Sequence, residues 1–152
     1  MQDINDKVLK CLTTLNLNIN ECKIISINCE GVGEVNDAGV YILLNGNDVL
    51  YVGEANNIAR RVGKEHCKAR IGASEGVARF LVYLLDKICA RRSEWVNYGV
   101  VNREKYIVEE VLMPVITKLT ILVITCPQLK DPSPRHKLEK CLMEELKPIL
   151  QT

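Results

Sequence analysis

Residues 39–66 read GVYILLNGNDVLYVGEANNIARRVGKEH, and this stretch decides the fold. Two apolar, strand-like runs, 39–44 and 48–53, flank Asn45-Gly46-Asn47. An Asn-Gly pair tolerates the positive φ that a tight turn between antiparallel strands demands, so the segment predicts a hairpin. Directly after it, ANNIARRVGKEH offers Asn56 or Asn57 as a helix N-cap and sets Ile58 and Val62 four apart. A helix should therefore begin within a few residues of the second strand. Tyr41, Tyr51 and Arg61 all fall at this strand-to-helix junction, where the chemistry is to be sought.

Outward from the hairpin, Val8, Leu9, Leu12 and Leu15 stand at helical spacing and predict a short amphipathic helix over 6–17. KIISINC (23–29) reads as a strand, ended by the glycine-rich loop EGVGEVNDAG. Residues 75–90 predict a long, largely buried helix, and 103–113 a second one ending before Pro114. LTILVITC (119–126) is a core strand, and RHKLEKCLMEELK a last helix that Pro148 stops. With no repeat, low-complexity tract or linker, residues 1–152 are expected to form one domain. Its class is α/β, layered: a small, mainly antiparallel central sheet flanked by helices.

No run of apolar residues is long enough for a membrane helix, and the polar start MQDINDKVLK does not look like an export signal. Seven cysteines, odd in number and without a CxxC pair, read as reduced thiols packed among aliphatic side chains, which points to a cytoplasmic location. The net charge of +1 hides an uneven distribution. Residues 1–54 carry 3 Lys/Arg against 8 Asp/Glu, whereas 55–92 carry 9 against 3. That basic block suggests a side facing a polyanion.

The motif Gly39-Val40-Tyr41, followed by Tyr51-Val52-Gly53 and then by Arg61 within a helix, resembles the GIY-YIG nuclease family, with Val in place of each Ile. Glu139 in the last helix, Pro148 nine residues on and Gln151 three beyond it match the family's ending in spacing. The resemblance implies a metal-dependent endonuclease that hydrolyses DNA, duplex or branched, with one Mg²⁺ or Mn²⁺ ion held by Glu139. It makes Tyr41 the general base for the attacking water and has Tyr51, beside it, hydrogen-bond the water or the phosphate. Arg61 would clamp a phosphate oxygen, since its planar fork is always charged and matches phosphate geometry. Relatives often carry a histidine four residues after the arginine. Here Glu65 holds that offset and His66 follows one later, so among the catalytic candidates His66 fits the pattern least.

Arg60, Lys64, Lys68, Arg70 and Gln151 are the candidate nucleic-acid contacts, Gln151 standing where relatives have an asparagine. Glu54, an acid beside the motif, reads as a surface charge, and Trp95 and Tyr98 as packing residues. The motif core spans 39–66 and 119–151, which leaves a helical insert over about 67–117 that could bear on DNA or form a homodimer face. Two other functions remain open at this level: a nucleic-acid-binding module of the same fold with little activity, and an oligomeric structural protein.

Overall fold

Two strands with almost no polar side chain on either face need cover on both sides, and the fold supplies it. The computed structural model describes residues 2–69, 75–90, 92–97 and 102–151. In it β2 (Gly39–Asn45) and β3 (Asp48–Ala55) form the hairpin, with Gly46 at φ 61° in the turn. β4 (Thr120–Thr125) pairs with the other side of β2, and β1 (Lys23–Ile27) with the far side of β4. All pairings are antiparallel and the order is β1-β4-β2-β3. The expected small antiparallel sheet flanked by helices is the observed one.

One face of the sheet, through Val40, Ile42, Leu44, Val52, Leu122 and Ile124, packs on α1 (Gln2–Thr14) and α7 (Pro132–Leu146). Tyr41, Leu43, Ile121 and Val123 look the other way, toward Ile58 and Val62 of the post-hairpin helix and Phe80 and Leu84 of the insert. A register shift between Leu43 and Leu44 leaves β3 one residue longer there, and beyond it Leu43 faces Tyr51 and Tyr41 faces Gly53. Both tyrosines therefore share one face. α7 begins where Asp131 caps it by accepting from the Ser133 N–H.

Among the described residues the insert runs as α2 (Glu75–Tyr83), α3 (Leu85–Ala90), α4 (Arg92–Asn97) and α5 (Arg103–Tyr106), so the long buried helix expected over 75–90 is broken at Leu84 and, with Val82 and Leu85 exposed, buried along one face only. The helix expected to stop before Pro114 runs past it: a π-helical stretch, Ile107–Leu112, hands over to α6 (Met113–Ile116). Pro114 then sits in the first turn of a new helical segment, where its missing N–H is not needed.

The reading of seven reduced thiols is corrected. Disulfides join Cys11 to Cys141, Cys22 to Cys126 and Cys29 to Cys67, leaving Cys89 free and exposed. A chain rich in aliphatic neighbours gives no hint of which thiols the fold will bring together, and the pairing removes the cysteine argument for a reducing compartment. No described helix is long and apolar enough to cross a membrane.

Candidate active site

The hairpin register brings Tyr41 and Tyr51 side by side, their ring centroids 6.1 Å apart. Gly53 makes room for them. A Cβ there would lie 2.5 Å from the Tyr41 hydroxyl and 2.7 Å from a Tyr51 ring carbon, so the motif's second glycine is the floor on which both phenols rest. Gly39 serves likewise, since a Cβ would run into the Ile124 carbonyl of β4. Tyr41 is buried and Tyr51 only half-buried.

The helix after β3 is a π-helix, Ala59–His66, and this corrects the expectation of an ordinary α-helix. Asn57 caps it by accepting from the Arg60 N–H at 2.7 Å, and the Cys67 N–H bonds the Val62 carbonyl five residues back at 2.8 Å. On an α-helix, residues five apart diverge by about 140°, but the extra residue in a π turn brings them onto nearly one face. His66 therefore stands where a histidine four residues after the arginine would stand on an α-helix. Its Nε2 is 2.8 Å from the Tyr41 hydroxyl, and its ring is 5.5 Å from that of Tyr41 and 5.9 Å from that of Tyr51.

Electrostatics across this cluster are uneven. Burial drives the Tyr41 phenol well above its ordinary value, Tyr51, Glu139 and Glu65 add to the rise, and Arg61 alone opposes it. Burial, seconded by Arg61, pushes His66 down to about 4. His66 is thus neutral, and in the tautomer that leaves Nε2 bare the phenol donates to it. Arg61 donates to Glu65 Oε2 at 2.8 Å and Arg60 to Glu65 Oε1 at 3.0 Å. The acid at the family's histidine offset holds both guanidinium groups in the free protein.

Glu139 approaches from α7. It is close enough to Tyr41 to raise that phenol, and its own carboxyl is raised, chiefly by burial and then by Glu54, while His136 and the Glu54 main chain favour its charged form. His136 Nδ1 is 3.2 Å from Glu139 Oε2. Glu54 departs from the surface-charge reading: it forms an ion pair with Arg135, whose side chain is 7% exposed. Sequence reasoning passed over Arg135 and the clamping role of Glu65. Only their offsets, Arg135 one turn before Glu139 and Glu65 four after Arg61, pointed to either.

Among the candidate nucleic-acid contacts, Arg60, Lys64 and Lys68 are exposed along one side of the π-helix region, and Arg70 lies outside the described residues, as do Tyr98 and the Trp95 side chain. Gln151 is placed elsewhere. Its amide bonds both the N–H and the carbonyl of Val52 at 2.7 Å, and the Ile149 and Leu150 N–H groups bond the Val49 and Leu50 carbonyls. The segment closes the free edge of β3, which occupies the amide that was expected to meet nucleic acid.

Among the described residues no three His, Cys, Asp or Glu side chains gather to cage a metal. What does fit is a cation that needs one protein carboxylate and keeps its waters, as Mg²⁺ does. Glu139, half-buried with its carboxyl raised by burial and by Glu54, is the carboxylate that could hold such an ion. Residues 37–111 match a family model described as the GIY-YIG catalytic domain. No curated protein and no solved structure gives a match.

Proposed function

From the premise that this chain belongs to the GIY-YIG nuclease family through residues 37–111, we propose that it is a metal-dependent endonuclease hydrolysing DNA phosphodiester bonds. The observation that carries the reading is the Tyr41 to His66 hydrogen bond beside Arg61, with Glu139 in electrostatic reach. β1, β4 and α7 lie outside the matched stretch yet complete the sheet and supply Glu139, so the proposal has the 152 residues working as one domain.

Glu139 would hold one Mg²⁺ or Mn²⁺ ion, which when bound supplies charge neutralisation at the phosphate and help for the departing 3′ oxygen. The rest falls to the chain's own groups. A phenol this buried does not hold a free phenolate, so Tyr41 acts as a relay: it takes a proton from the attacking water as it passes its own to His66 Nε2. Burial depresses His66 most in the free protein, and Arg61 adds a lesser repulsion. A phosphate seated on Arg61 cancels that repulsion, so substrate binding itself makes His66 the better acceptor. Tyr51, half-buried at the rim, hydrogen-bonds the water or a phosphate oxygen. The phosphate must draw Arg61 from Glu65 or share it, and the exposed Arg60, Lys64 and Lys68 extend the backbone contact.

Plasmid nicking tests this. Wild-type protein with Mg²⁺ should convert supercoiled to open-circular DNA, and Glu139→Gln and Arg61→Ala should each slow nicking by about a hundredfold or more with unchanged circular dichroism. Unaltered nicking by both variants would overturn the reading. A mobility shift without any cutting by the wild type would mark a binding module instead.

A further inference from the structure

The mechanism leaves Arg135 unused, yet it is one of the two buried polar or charged residues among those described, the other being His66. A buried guanidinium persists only where its donors are matched. Arg135 Nε donates to Glu54 Oε2, and Nη1 reaches the Leu129 carbonyl at 3.0 Å and the Lys130 carbonyl at 3.4 Å. The two carbonyls belong to the turn before α7, and Glu54 belongs to β3, the strand of Tyr51 and Gly53. One side chain thus ties the root of α7 to the catalytic hairpin, one helical turn from Glu139.

We infer that Arg135, through its ion pair with Glu54, is a positioning residue that fixes the metal-binding carboxylate of Glu139 against the tyrosine pair. The inference rests on the nuclease reading above. Two halves of the site arrive on separate elements, the phenols on the hairpin and the carboxylate on α7, and the Glu54–Arg135 pair spans the joint between them. It also matches charge: Glu54 is the like-charged neighbour acting on Glu139, and the guanidinium at Glu54 keeps two adjacent carboxylates from repelling each other apart. A partner that orients a metal ligand from behind commonly governs metal affinity by about 10–100-fold.

Mn²⁺ binding, followed by the paramagnetic signal of the free ion, provides a readout independent of cleavage. The wild type should bind one ion that Glu139→Gln abolishes. The double variant Glu54→Gln/Arg135→Met replaces the pair by neutral groups of similar shape, a change that commonly leaves stability intact. It should keep its melting temperature, bind Mn²⁺ about 10–100-fold more weakly, and lose kcat with little change in KM for DNA. Arg135→Lys, which keeps the charge and the buried stem without the fork, should fall between the two. Wild-type Mn²⁺ affinity and kcat in either folded variant would overturn the role of Arg135 while leaving the nuclease reading standing. A wild type that neither binds Mn²⁺ through Glu139 nor cuts DNA would end both.

Discussion

Tyr41 and His66 share a proton in a place that suits neither charged form, and this makes His66 a measurable probe of the site. Its folded value of about 4 lies below the ordinary 6.5. Between those values the unfolded chain binds a proton that the folded one refuses. Its contribution is therefore fully present above pH 6.5 and lost as the pH falls toward 4, about 3 kcal/mol in all. Denaturant unfolding of wild type and His66→Gln across that window should show this loss in the wild type alone, and parallel curves would contradict it. Tyr41→Phe keeps the ring but removes the relay, so kcat should fall by about 10²–10⁴-fold. Glu65→Gln should strengthen DNA binding several-fold in anisotropy titrations at low salt, since it removes the carboxylate that pairs with Arg60 and Arg61. Tyr41, Tyr51, Arg61 and Glu139 could be singled out in the sequence because their spacing is that of a family motif. The contact of His66 with Tyr41 and the pairing of Arg135 with Glu54 could not, because each depends on a partner that linear distance does not disclose.

At the scale of elements, two apolar runs and an Asn-Gly turn announce the hairpin, but not the register shift between Leu43 and Leu44. The π-helix does not announce itself. Ile58 and Val62 have the same spacing whether the turn holds one residue more or not, and that single residue settles whether His66 reaches Tyr41. Gly53 is the element's narrowest point: Gly53→Ala should leave the sheet intact by circular dichroism yet displace both phenols and cut activity by about a hundredfold. Cys67 follows His66 directly, so the Cys29–Cys67 disulfide moors the end of the π-helix to the loop after β1. With the two cysteines 38 positions apart, opening it should cost about 4 kcal/mol by loop entropy. Thermal melts of Cys29→Ala/Cys67→Ala beside the wild type check that figure, and an unchanged melting temperature would refute it. The cysteine pairs escaped the sequence because six well-spaced thiols in aliphatic surroundings look the same paired or single.

Across the whole molecule, the acidic first third and the basic middle meet in one structure. The α1 and α7 layer backs the sheet, while the π-helix and the insert cover the face that carries the tyrosines. The 149–151 segment closes the edge of β3, held also by Arg79 donating to the Leu150 carbonyl. That edge role explains Gln151 better than a nucleic-acid contact does, and only the folded pairing could reveal it. The proposed nuclease activity requires these elements to bring one carboxylate, one guanidinium and a phenol-imidazole pair to a single phosphate. Single-turnover cleavage of end-labelled plain, branched and single-stranded DNA, with Mg²⁺ and with EDTA, tests it most directly. Cutting of at least one substrate in Mg²⁺, absent in EDTA and absent in Glu139→Gln, is the predicted result; cutting that persists in EDTA or in that variant would contradict it.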